Sequence, residues 1–219
     1  MSAAPLIERT VAGLHPFLLA RLPRTLRKES PILDVGCGTG AWLARLATAG
    51  YTNLEGTDRD VGQLAFRGAR VFANDLNEPV WSVGQQRYEL ITAIEVIEHL
   101  DNVGALLANA GRLLADGGYL LVTTPNIESI GSRLRFLVTG DMKHFGEIGD
   151  RTHVFPVLGA TMERLAAARR LRVVERFGYP ESGRSLTARP WVNVVCTMLR
   201  AALPEAAPGD NSCFLIVKD

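Results

Sequence analysis

The run Ile32-Leu33-Asp34-Val35-Gly36-Cys37-Gly38-Thr39-Gly40 most constrains what this chain can fold into. A short apolar stretch passes directly into three closely spaced glycines, followed by residues with helical patterning. A glycine-rich turn between strand and helix lets the backbone approach a ligand where a side chain would clash. It also presents backbone N–H groups at a helix N-terminus. Asp58 closes the next apolar run, 24 residues after Asp34, and an acid there accepts hydrogen bonds from ribose hydroxyls. The loop alone leaves two nucleotide chemistries open, because Gly36, Gly38 and Ala41 also satisfy the G-x-G-x-x-G/A dinucleotide fingerprint. Three features lead away from a nicotinamide cofactor: Asp34 precedes the first glycine, Gly40 adds a third, and Asp75-Leu76 follows the third apolar run. A carboxylate and a backbone amide at that last position can read an adenine edge.

Short apolar runs alternate with helical stretches along the chain, which predicts an α/β fold with a doubly wound, Rossmann-like, mostly parallel sheet. Seven strands are expected, near 31–35, 53–57, 69–73, 88–94, 119–123, 171–177 and 213–217. Helices are expected near 41–49, 61–66, 103–114, 129–138, 161–170 and 191–203, with a turn at Asp116-Gly117-Gly118. Residues 1–28 read as an N-terminal region that is helical and amphipathic from 5 onward, broken by Pro16 and Pro23. The segment 125–156 lacks simple periodicity and is too long for an ordinary connection, the mark of a lid or binding loop. One domain is expected to span residues 1–219, since domains commonly run to about 100–200 residues.

The formal charge of +1, from 24 Lys and Arg against 23 Asp and Glu, argues against a dedicated nucleic-acid binder. Cys37, Cys196 and Cys213 lie far apart with no C-x-x-C spacing, which excludes a disulfide framework or a thiolate zinc site. A reduced, cytoplasmic location follows. No stretch approaches the roughly 20 apolar residues that span a bilayer, and no signal-peptide pattern precedes Phe17-Leu18-Leu19-Ala20.

Taken in order, Asp34–Gly40, Asp58, Asp75-Leu76 and the segment from Tyr88 to Leu100 resemble the successive motifs of class I S-adenosylmethionine (SAM) methyltransferases. The pattern Glu95-x-x-Glu98-His99 is similar to the small-molecule branch that includes the ubiquinone-biosynthesis O-methyltransferases. The resemblance implies that the last strand, 213–217, inserts antiparallel into the sheet. It implies SAM as cofactor, with S-adenosylhomocysteine as product. Asp34, Gly36, Cys37, Gly38 and Gly40 would line its methionine and ribose part, and Asp58 would bind the ribose hydroxyls. Asp75 and Leu76 would meet the adenine, and Ile94 and Glu95 would stand near the sulfonium. Trp42 is expected to pack helix against sheet.

Methyl transfer to oxygen requires the acceptor to lose a proton, and a positioned side chain contributes about 10²–10⁴-fold. The four histidines are the candidates. His153, in the 125–156 segment, is the leading base, and His99, beside Glu98, is the second. His15 is expected at the surface or in packing, and His144 in an exposed turn. A face of Leu134, Phe136, Leu137 and Phe145 is expected to cover the acceptor. Glu95, Glu98 and His99 share the spacing of one helix face, which allows a divalent ion, but no metal is expected. The partner is a small-molecule acceptor, with neither nucleic acid nor a membrane span, and the chain is a monomer or homodimer. Two rivals stay open at this point: a SAM-binding regulatory protein without catalysis, and an NAD-dependent oxidoreductase.

Overall fold

A computed structural model describes residues 6–84, 87–146 and 149–219. Residues 1–5 of the expected N-terminal region and 147–148 of the 125–156 segment lie outside the described residues. Seven strands form one sheet: β1 (Ile32–Val35), β2 (Leu54–Asp58), β3 (Arg70–Ala73), β4 (Tyr88–Ile94), β5 (Leu114–Pro125), β6 (Leu171–Tyr179) and β7 (Asn211–Lys218). Their order is β3-β2-β1-β4-β5-β7-β6. The first five pair in parallel, and β7 runs antiparallel between β5 and β6. This is the doubly wound, mostly parallel sheet that the patterning predicts, with the inserted last strand that the resemblance implies.

Among the described residues, six α-helices accompany the sheet: α1 (Leu14–Ala20), α2 (Ala41–Thr48), α3 (Val103–Leu113), α4 (Ile130–Thr139), α5 (Gly159–Ala167) and α6 (Pro190–Leu199). Successive side chains of a strand point to opposite faces, and the two cores divide accordingly. Leu33, Val35, Ile91, Ala93, Leu120 and Val122 face one way and pack with Leu106, Leu107 and Ala110 of α3. Ile32, Leu90, Ile94 and Leu121 face the other way and pack with Leu43 and Leu46 of α2 and Leu14 and Leu18 of α1. Burial on both faces explains why β1 and β4 read as continuous apolar runs.

Three expectations change. The N-terminal helix is confined to α1, and residues 61–66 form only a single 3₁₀ turn at Val61–Gln63. Asp60 caps that turn through its own carboxylate, accepting from the Gly62 N–H at 3.0 Å. Asp116-Gly117-Gly118 does not separate α3 from β5, because β5 already begins at Leu114. Gly117 takes a φ of 74°, a conformation that glycine tolerates, and the irregularity stays within the strand.

The chain turns from one half of the sheet to the other between β1 and β4. Ligands of open α/β sheets bind outside the carboxyl ends of the strands at such a switch point.

Candidate active site

The glycine loop is built from β1 outward. Gly36 and Cys37 donate their N–H groups to the Thr57 carbonyl at 2.8 and 3.2 Å, which ties the loop to β2. Gly36, Gly38 and Gly40 all have positive φ. At Gly36 a Cβ would meet Val96 Cγ2 at 2.4 Å, whereas at Gly38 it would meet nothing within 4 Å. Gly36 therefore answers to packing, and Gly38 to open space on the ligand side. Gly38 also donates its N–H to Asp58 Oδ2 at 2.9 Å. Gly40 starts α2 in the left-handed conformation and lies against Phe66 and Leu64.

One cavity of about 860 Å³ gathers nearly every residue singled out from the sequence. Asp34, Gly36, Cys37, Gly38, Asp58, Asp75, Leu76, Ile94 and Glu95 line it, and so do His99 and His153. Gly40 is absent from the lining. Its place is structural.

Asp34 sits at the cavity floor and accepts a hydrogen bond from the Thr92 hydroxyl at 2.8 Å, across the β1–β4 pair. Burial pushes its carboxyl up to about 7, against the Thr92 hydrogen bond and with a further push from Asp58. Glu95 follows β4 with a φ of 53°, rare for a residue with a side chain. Its carboxylate accepts from the Thr123 hydroxyl at 2.7 Å and from Asn211 Nδ2 at 2.8 Å, so β5 and β7 fix its direction. Burial also pushes Glu95 up to about 7. Asp75 accepts from the Asn77 N–H at 3.0 Å, which holds its carboxyl below the usual range. The Asn77 side chain in turn receives the Asn102 N–H at the start of α3.

The histidines meet at the other end of the cavity. The His99 and His153 rings stand 4.7 Å apart, edge to face. His153 Nδ1 lies 3.0 Å from the His144 carbonyl, which makes that nitrogen the donor and leaves the lone pair on Nε2. Asp150 Oδ2 lies 3.9 Å from His153 Nε2. Thr152 donates its hydroxyl proton to Asp150 Oδ1 at 2.7 Å, so its oxygen accepts from His99 Nδ1 at 2.9 Å. His99 thus also keeps a free lone pair on Nε2, and burial lowers its pKa. Glu98 is fully buried, with both carboxylate oxygens unpartnered. Burial, reinforced by Glu95, raises Glu98 well above the usual carboxylate range. Its backbone carbonyl receives the Val154 and Phe155 N–H groups at 2.8 and 3.0 Å, which docks residues 152–155 beside the site.

Among the described residues, Glu98, His99 and His153 bring possible metal-ligand atoms within 4.8 Å of one another. Glu95 is not in this group, because Thr123 and Asn211 hold it elsewhere. The grouping that helical spacing allows is therefore replaced by one completed from a distant segment.

Several expectations are corrected. His144 is half-buried and lines the cavity; burial and Lys143 lower its pKa to about 4. His15 takes the packing place that was one of its two expected ones, buried and edge-on against Trp42 at 5.3 Å, and it also lines the cavity, which was not expected. Trp42 does not only join helix to sheet: its buried ring borders the same space. The face of Leu134, Phe136, Leu137 and Phe145 does not line the cavity; Phe136 and Leu137 are exposed, and only Phe145 approaches it, against His153. That side of the cavity is lined instead by His144, Asp150, Thr152 and His153, and by residues 7–11, which the sequence did not single out. Ile7 donates to Thr39 Oγ1 at 3.0 Å and accepts the Thr39 hydroxyl at 3.2 Å, while Glu8 pairs with Arg45.

The cavity fits a SAM-sized ligand. Its volume lies within the range of small-molecule sites, about 300–1,000 Å³. The open cradle at Gly38 and the unpartnered, buried Trp42 Nε1 leave room and a hydrogen-bond donor.

A model of a methyltransferase-domain family matches residues 8–176. A SAM-dependent methyltransferase from Archaeoglobus fulgidus is similar in structure, with a TM-score of 0.64, 21% identity and 94% of each chain covered. One from Mesorhizobium loti gives 0.61 at 17% identity, covering 92% of this chain and 96% of that one. Magnesium protoporphyrin IX methyltransferase from Synechocystis PCC 6803, solved with bound S-adenosylhomocysteine, gives 0.57 at 15%, covering 94% and 80%. No curated protein matches the sequence. The chain belongs to this methyltransferase-domain family and has the class I fold of SAM-dependent methyltransferases, whose cofactor is SAM.

Proposed function

We propose that the chain transfers a methyl group from SAM to a hydroxyl oxygen of a small molecule, with His153 as the general base. One observation carries this reading: the glycine loop with its carboxylates and the His99–His153 pair open into the same cavity. SAM, when bound, supplies an electrophilic methyl group. Asp58 and the Gly38 backbone would hold its ribose side, Asp75 and Leu76 its adenine, and Asp34 and Glu95 its charged end.

The remaining chemistry belongs to the chain. His153 Nε2 takes the hydroxyl proton, and Asp150 stabilises the imidazolium that results, from 3.9 Å. The His144 carbonyl fixes the tautomer through Nδ1. His99, set by Thr152, packs against the His153 ring and presents a second acceptor nitrogen. Burial without a partner disfavours charge on Glu98, which supports reading the two histidines beside it as a base site. Residues 7–11 together with His144, Asp150, Thr152 and His153 border the cavity, and holding both reactants in line supplies about 7–11 kcal/mol of the barrier. The three cysteines are all unpaired and buried, which supports a cytoplasmic setting.

A panel of phenols and aliphatic alcohols, assayed with SAM for S-adenosylhomocysteine release, tests the reading. Turnover on hydroxyl acceptors is expected. Turnover confined to amines, or none while SAM binds, would overturn it.

A further inference from the structure

Helix α6 is inside out. Trp191, Val194, Val195 and Met198 follow the i, i+3, i+4, i+7 spacing of one apolar stripe. A helix of a globular protein turns such a stripe toward the core. Here all four residues are exposed, Trp191 by 62% and Met198 by 73%, and only Cys196 of the ten is buried. Helix α4 lies alongside, with Gly131 closely facing the Cys196 sulfur. It adds exposed Phe136, Leu137 and Val138, the last two about 80% accessible.

The unpaired charge around this face is positive: Glu128, Asp141, Glu181 and Glu205 flank the two segments, and each is ion-paired. Residues 129–140 and 182–203 carry Arg133, Arg135, Arg184, Arg189 and Arg200 and no Asp or Glu, in a chain that is otherwise balanced. Arg135 pairs with Asp141 and Arg200 with Glu205. Arg133, Arg184 and Arg189 are exposed and make no ion pair among the described residues. An apolar stripe with a tryptophan, bordered by arginines, matches a helix that lies in the headgroup region of a membrane. A second copy of the chain would cover the apolar stripe but leave the unpaired arginines without an anionic partner, which a lipid headgroup surface supplies. No described helix is long and apolar enough to cross a membrane, so the contact is peripheral.

We propose that α4 and α6 form a docking face for an anionic lipid surface. The face adjoins the cavity: Lys143 joins Asp210 at 2.8 Å and Ser185 at 3.3 Å, and Thr187, three residues before α6, lines the cavity beside His144 and His153. A lipid-dissolved acceptor would enter from the docked side. That corollary rests on the proposed methyltransferase reading; the docking itself does not.

Flotation of the full chain with phosphatidylcholine vesicles, with and without phosphatidylglycerol, tests the proposal. Binding is expected to be at least about tenfold tighter to the anionic vesicles and to weaken at high salt. Trp42 and Trp81 are buried, so a blue shift of tryptophan emission reports on Trp191. A Val194→Asp/Met198→Asp double variant should lose flotation while keeping its Tm and its affinity for S-adenosylhomocysteine. Arg184→Gln/Arg189→Gln should lose the anionic preference. Absence of flotation, equal binding to both vesicles, or a wild-type dimer that the aspartate variant fails to form would overturn it. None of these outcomes depends on turnover.

Discussion

The N–H of Gly38 donates to Asp58 Oδ2 at 2.9 Å, so the carboxylate assigned to ribose also holds the glycine loop in shape. Its other oxygen accepts from the Asp60 N–H at 3.0 Å. One side chain thus holds the loop and, in the proposed reading, would also meet the ligand. Asp58→Ala should weaken S-adenosylhomocysteine binding by about 10–100-fold, the worth of charge-assisted hydrogen bonds. Asp58→Asn, which still accepts a hydrogen bond, should lose less. Calorimetric titration of both variants checks this, and equal affinities would contradict it.

Gly36 and Gly38 should separate folding from binding. Gly36→Ala forces a Cβ into Val96 at a φ of 70°, and should lower the Tm by several degrees. Gly38→Val directs its side chain into open space, at a φ of 50°, and should abolish cofactor affinity with a smaller loss of Tm. Thermal melts paired with titrations make the comparison. Equal Tm losses and equal affinity losses in the two variants would remove the distinction.

His153→Gln should reduce kcat on an alcohol acceptor by about 10²–10⁴-fold and on a phenol by less, because a phenol gives up its proton more readily. Cofactor affinity should stay near wild type. Asp150→Asn should cost less than His153→Gln, since Asp150 is exposed and acts at 3.9 Å. A chelator should leave the rates unchanged. Activity that collapses with chelator and returns with a divalent ion would move Glu98, His99 and His153 from a base site to a metal site.

Asp34 should leave a mark on stability against pH. Its folded-state pKa of about 7 lies above the ordinary value of 3.8. Between those values the folded chain binds more protons than the unfolded one, so this group's contribution falls as pH rises through the window. Asp34→Asn keeps an acceptor for Thr92 and removes the titration. The Tm of the variant minus that of wild type should therefore grow from about pH 4 to about pH 7 and then level off. Melts across that range check the trend, and a flat difference would contradict it.

The gathering of the glycine loop and its carboxylates at one cavity was legible in the sequence because local chemistry determines it. Gly36, Gly38, Asp58 and Asp75 sit at strand ends, and strand ends are fixed by the apolar runs before them. The acceptor half depends on chain segments far apart in sequence. His153 reaches His99 through Thr152, and Glu95 is turned by Asn211, a distance of 116 residues. No spacing announces such contacts. The place of His15 and residues 7–11 at the cavity was missed for the same reason: it rests on Thr39, Trp42 and Arg45. The apolar residues of α4 misled in a different way. Helical periodicity identifies a stripe but not the direction it faces, and here it faces outward.

The central claim is that this cavity holds SAM rather than a nicotinamide. Titration of the purified chain with S-adenosylhomocysteine and with NADH, side by side, tests it most directly. Saturable binding of S-adenosylhomocysteine, weakened in Asp58→Ala, with no heat from NADH, is the predicted result. Binding of NADH without S-adenosylhomocysteine would contradict the account.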